Sequence, residues 1–457
     1  MLESNPIAFV VSLNLPRSIR YLAFAGLFCV VANPTQAGIC TPSQSGAVTE
    51  ALGGLRVGDG GVGTYSLDGS SCSESFSFLT AGFDNNGNGT VTLENGASLS
   101  LLNRLDVSQV GTGLVTVASG SQVTTNDCRI SYRDGDTGSN PSGTGTLVVT
   151  GPNSGVTCND ELQVGTDGMG TLELSDGAQL TAGRTGLTGF EANATGEIRV
   201  LSGASLDITG SNGATHIVGV RGSGRIDIDA GSLSFTSPTA GTLTTCTVGG
   251  CDVEINVSNG GLLLAQFIVA NNNTMLTLDG GTIETQQHSL QVAGNSILRG
   301  SGDIVGDLDN RESVFPGIDG IGQIAIVSDD DFDGNFSSSS GSNVEFEITS
   351  GASFDSISVD RDLVFNGNVD VVFVDSFVPP SGSRFEIITV GGGISWSPNS
   401  VDIIGLPSEV LAETMVVEEE SAIVVTVPEP DGRSMALVAL ITSALIRLRR
   451  PRHSLGN

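Results

Sequence analysis

Between residues 38 and 425, apolar and polar residues alternate over runs of three to five positions, with no sustained helical period. The apolar positions are rich in Val, Leu and Ile, and Gly, Asn, Asp or Ser ends each run. A period of two with turn residues at the breaks predicts short β-strands that each bury one face. The runs recur. Gly89-Thr90-Val91-Thr92-Leu93-Glu94-Asn95-Gly96-Ala97-Ser98-Leu99 returns as Gly170-Thr171-Leu172-Glu173-Leu174-Ser175-Asp176-Gly177-Ala178-Gln179-Leu180. It returns again as Gly196-Glu197-Ile198-Arg199-Val200-Leu201-Ser202-Gly203-Ala204-Ser205-Leu206. A short Leu-x-Val-Gly strand precedes several copies, as at Leu55-Arg56-Val57-Gly58 and Leu162-Gln163-Val164-Gly165, with Ile217-Val218-Gly219 as a variant. Turn glycines fall at 69, 96, 120, 151, 177, 203, 231, 260 and 280, at intervals of 20 to 31 residues.

A period in the twenties is the mark of stacked repeats. Two or three strands per repeat, each turning a corner at glycine, predict an all-β fold: a parallel β-helix or solenoid, read as right-handed. Each coil would add its inward residues to a narrow core and bond to the coils above and below. About ten coils at roughly 4.8 Å each would give a rod on the order of 50 Å long. An aromatic content of 5% suits so thin a core, and a β-sandwich array fits the short repeat poorly.

The texture changes at Gly300-Ser301-Gly302-Asp303-Ile304-Val305-Gly306-Asp307-Leu308, which leads through Val314-Phe315-Pro316-Gly317 to Gly322-Gln323-Ile324-Ala325-Ile326. Residues 38–310 are therefore read as the repeat solenoid and 311–427 as a β-rich region that caps it and shields its last edge.

Charge narrows the partners. The net charge is −31 and all 19 basic residues are arginine. Between 38 and 430 only 12 arginines face 48 acids. Such a surface repels phosphate backbones, which argues against a nucleic-acid partner, and it attracts divalent cations. Asp329-Asp330-Asp331-Phe332-Asp333-Gly334 has the D-x-D-x-D-G opening of a calcium loop, with Asp329, Asp331 and Asp333 as the candidate ligands. Asp84-Asn85-Asn86-Gly87-Asn88-Gly89 is a weaker version. Neither carries a glutamate at the twelfth position, where Ser340 and Asn95 stand. Calcium is thus an option, and no other cofactor is expected.

Catalysis is not expected. Of three histidines, His216 and His288 fall in repeat strands or turns and His453 in the tail, and no serine–histidine–acid elbow is present. A polysaccharide lyase or hydrolase is the alternative, but the carboxylates are spread over turns and mark no single cleft.

Both ends of the chain suggest export. Arg17 and Arg20 precede the apolar run Tyr21–Val31, and small residues lead to Thr35-Gln36-Ala37, as in a signal peptide covering 1–37. Its removal would take Cys29 and leave six cysteines, an even count that suits disulfides formed outside the cytoplasm. Cys128 lies eight residues after Gly120 and Cys158 seven after Gly151, so the two fall on adjacent coils within bridging distance. Cys246 with Cys251 and Cys40 with Cys72 complete one of fifteen possible connectivities.

At the other end, Val427-Pro428-Glu429-Pro430 is followed by the apolar run Ser434–Ile446 and then by Arg447, Arg449, Arg450 and Arg452. Thirteen residues make a helix of about 20 Å, short for a hydrocarbon core of about 30 Å. The arginines favour a cytoplasmic terminus. Residues 428–457 resemble the PEP-CTERM sorting signal of Gram-negative bacteria. The repeats of about 50–310 look like T5SS/PEP-CTERM-associated repeats, related to autotransporter passengers. That resemblance implies an exosortase-type processing partner and a transient inner-membrane stage. It then implies delivery to the cell surface or exopolysaccharide matrix, with polysaccharide or neighbouring surface proteins as further partners. An autotransporter-like passenger is the other alternative.

Overall fold

The computed structural model describes residues 42–132, 143–189, 191, 193–210, 215–219, 221–236, 241–246, 250–318, 320–329, 333–407, 412–417 and 421–428. All of them lie in one compact unit, Cys40–Asn457. The expected leader, Cys40, Asp331 and the tail from Glu429, where a short helix is expected, lie outside the described residues.

Among the described residues the chain forms 37 β-strands in one hydrogen-bonded sheet and no helix. Most pairs are parallel, and they fall into three ladders that the chain visits in turn. The first ladder runs through Val62–Asp68, Asn88–Glu94, Thr112–Ala118, Thr144–Thr150, Met169–Ser175 and Thr195–Leu201. Ser223–Asp229 and Asp252–Ser258 continue it. In several coils the strand after the turn bends at a shift in register, so one strand serves two ladders. In Ser98–Val107 and Gln122–Ile130 the leading residues join the second ladder and the trailing ones the third. The ladders do not stop at residue 310. Asn343–Ser350, Asn368–Phe373 and Ser400–Ile404 extend the first ladder in the same parallel sense.

Antiparallel strands close parts of both ends. Ser43–Gly46 lies on Val62–Asp68, and Val48–Ala51 on Gly54–Val57. Ala422–Thr426 pairs with Arg384–Val390, and Glu413–Val417 pairs with it in turn. Covering the first and last rungs removes backbone groups that would otherwise recruit foreign strands.

Alternation becomes columns. Leu67, Leu93, Val117, Val149, Leu174, Val200, Ile228, Val257 and Leu278 stack in register and are all fully buried. Each side chain of this kind contributes roughly 1.5–3 kcal/mol by burial. Toward the C-terminus aromatic rings from neighbouring columns of the third ladder pack together. The ring of Phe365 meets Phe336 edge-on at 6.2 Å and stacks on Trp396 at 4.7 Å.

Two glycines in each repeat have different tasks. Gly63, Gly89, Gly113, Gly145 and Gly170 form a column of their own at the start of the first ladder. A Cβ on Gly113 would collide with the carbonyl oxygen of Ala81 and lie 2.6 Å from the Ser108 nitrogen. Gly120 faces open space, but its φ of +78° follows a φ of +54° at Ser119. The corner glycine is required by contact and the turn glycine by backbone angle. Gly113→Ala is expected to cost roughly 3 kcal/mol or more through backbone displacement. Gly120→Ala should cost about 1–2 kcal/mol, and Gly120→Asn less. Guanidinium denaturation of the three variants measures this; equal losses at 113 and 120 would mean that the corner is not crowded.

Candidate functional site

Along the third ladder three overlapping clefts form an extended depression. Their volumes are about 520, 430 and 530 Å³. Ser289, Asp307 and Asp309 are shared by the first two, and Asn335 and Asp362 by the second and third. One wall comes from an insertion. Ala265 pairs with Thr285 and Ile268 with Leu290, so two residues on one coil oppose four on the next. The surplus, around Gln286–His288, folds over Gln266, whose carbonyl accepts the N–H groups of Gln287 and His288 at 3.3 and 3.2 Å. His288 is exposed and meets the half-buried ring of Phe267 edge-on, 5.6 Å between centroids.

The floor is a row of Asx side chains. Asp307 Oδ1 accepts the N–H of Asn335 (2.8 Å), Asn335 Oδ1 accepts that of Asp362 (3.1 Å), and Asp362 Oδ1 accepts that of Gly393 (2.7 Å). In return the carbonyls of Asn335, Asp362 and Gly393 accept from Leu308, Phe336 and Leu363. Each side chain therefore satisfies a backbone donor that the parallel ladder leaves over at this bend. The neighbouring row differs. Asp309 is held by Arg311 at 2.8 Å and by Gln291 at 3.1 Å.

Sequence reasoning did not single out this row. The signal was there: Asp307-Leu308, Asn335-Phe336 and Asp362-Leu363 each place an Asx before a large buried residue, one coil apart.

The residues singled out from sequence are scattered. Asp333 lines the third cleft with Asp360 and Asp362, whereas Asp329 lies beside Glu284, whose carboxyl it helps burial to push up. Among the described residues no three His, Cys, Asp or Glu side chains are grouped to hold a metal. Cys128 is bonded to Cys158 with Cα atoms 5.7 Å apart. Cys128 stands opposite Leu162 and Cys158 opposite Thr125, so the bridge crosses the bend between the second and third ladders. Cys246 is bonded to Cys251, and it takes a left-handed position (φ +51°) where Gly58, Gly82 and Gly165 stand in earlier coils. Cys72 is buried and disulfide-bonded. Val427 and Pro428 are the only described residues of the expected sorting motif. Val427 exchanges backbone hydrogen bonds with Gly382 and Ser383, and the Ser381 hydroxyl donates to the Pro428 carbonyl.

Two ionisable groups are buried away from the cleft. His216 is fully buried against Phe235, and burial pushes its pKa down to about 4. Asp355 accepts the N–H groups of Gly322 and Glu347 at 2.7 and 2.8 Å, yet burial outweighs them and pushes its carboxyl up to about 7.

No model of a known protein family matches the chain, and no curated protein matches it.

The two buried groups set opposite pH slopes. Between pH 6.5 and 4 the unfolded chain holds a proton at His216 that the folded chain does not. Its contribution is therefore full above pH 6.5 and is lost on acidification, up to about 3 kcal/mol. Asp355 acts the other way: its contribution is full below pH 4 and is lost as pH rises through 7. Denaturation midpoints from pH 3.5 to 8 should show His216→Phe flattening the acidic limb alone. An unchanged acidic limb would mean that His216 is protonated within the fold.

Proposed function

We propose that this protein is an exported, non-catalytic β-solenoid of the PEP-CTERM class, sorted through its tail to the cell surface or exopolysaccharide matrix. There it serves as a structural and adhesive rod. The observation that carries the reading is the rung-on-rung parallel pairing that runs from the Gly54–Val57 strand to Ser400–Ile404. A chain whose every coil is bonded to two others resists bending and offers proteases few loose segments. Acids outnumber arginines fourfold between 38 and 430, which keeps such a rod soluble and receptive to cations.

The tail supplies the address. An exosortase-type partner would read Val427, Pro428, Glu429 and Pro430, and the run Ser434–Ile446 with Arg447, Arg449, Arg450 and Arg452 would hold the chain at the inner membrane during processing. Glu413–Val417 and Ala422–Thr426 form a hairpin that ends directly before the motif, so release of the tail leaves that hairpin intact.

Fractionation of the native host, with mass spectrometry of the C-terminus in each fraction, tests the reading. A species ending near Pro430 in the surface or matrix fraction is expected. An intact tail confined to the inner membrane would overturn it.

A further inference from the structure

We propose that the cleft on the third ladder binds an extended polysaccharide strand of β-linked hexosamine units that carry free, protonated amino groups. The inference rests on the adhesive reading above and names the ligand of its surface.

Shape comes first. The three clefts overlap in a line that crosses successive coils from Phe267 to Asp362, which suits a linear polymer better than a compact molecule. Spacing comes second. Asp307, Asn335 and Asp362 occupy consecutive rungs, so the two carboxylates stand two rungs, or about 9.6 Å, apart. In an extended β-linked chain successive rings alternate in facing. The same substituent therefore turns to one side at every second sugar, a repeat close to that separation.

Chemistry comes third. One oxygen of Asp307 and one of Asp362 are taken by backbone N–H groups, and no side-chain partner occupies the other among the described residues. The pattern along the floor is carboxylate, amide, carboxylate: two acceptors for ammonium groups with a neutral hydrogen-bonding group between them. Asp309, one row over, is already neutralised by Arg311 and does not compete. At the far end Phe267, braced by His288, offers an apolar face on which a sugar ring can lie. Polyanionic glycans are disfavoured by the same carboxylates.

The test is calorimetric titration of the intact exported protein with three hexamers: glucosamine, N-acetylglucosamine and galacturonate. Saturable binding of the glucosamine hexamer, at least tenfold tighter than either other, is expected. The double variant Asp307→Asn/Asp362→Asn should lose at least tenfold. It should still fold, because Asn335 already makes the same backbone bond from an amide oxygen. Asp227→Asn/Glu254→Gln, which removes two charges from the first ladder, should leave affinity unchanged. Equal binding of the acetylated and free-amine hexamers, or equal losses in the two double variants, would overturn the assignment. A matrix-located protein that ignores glucosamine refutes the ligand and leaves the adhesive reading standing. A protein retained in the inner membrane refutes that reading whatever the cleft binds.

Discussion

The corner between the third and first ladders is the constraint on which the repeat region depends. There the carbonyls of Val57, Ala81 and Val107 point into the path of the next inward residue, and only glycine clears them. Gly89, Gly113 and Gly145 meet that demand one coil after another and so pin the register of the first ladder. Once the register is pinned, alternation decides everything inside it. A slip of one residue would turn Leu93, Val117 and Val149 outward together and expose a whole column. The second glycine of each repeat is subordinate: it lets the chain leave the ladder but does not choose where it re-enters.

Charge is accommodated both within coils and between them. Arg199 reaches Glu173 on the preceding coil and Glu197 on its own, and Arg225 bridges Asp227 and Glu254 in the same manner. Asn95 and Asn259 donate to Asp68 and Asp229 one coil away. Exposed pairs of this sort are individually weak. Their consequence is distribution, because stacking carboxylates at strand spacing would otherwise add repulsion with every coil. The Asx row beneath the cleft solves a related problem with backbone donors in place of arginines.

Strand type, parallel pairing and the phase that brings Cys128 beside Cys158 were legible because each depends on spacing within one or two repeats. Period two and the turn glycines carry that information directly. The continuation beyond residue 310 was harder to see: Asn343–Ser350 keeps the alternation and the turn glycine that follows it, Gly351, but Asn368–Phe373 runs into Val374-Asp375-Ser376 with no glycine. The cleft was not legible at all. It arises where one coil has more residues than its neighbour, around Gln286–His288, and a surplus is defined only after both coils are in register. The proposed sorting motif is the reverse case, suggested by the sequence and largely outside the described residues.

Frame and cleft follow from a single rule. Parallel strands fix the distance between equivalent side chains on successive coils at about 4.8 Å, and neither loop movement nor ligand can change it without breaking a rung. Side chains in one row are thus a ruler. Where a row is apolar the ruler builds a core, as with Leu67 through Leu278; where it is Asx it sets carboxylates at fixed intervals on the outside. A binding surface made in this way needs no induced fit to reach its geometry, and its specificity is one of repeat length and charge sign rather than of enclosed shape.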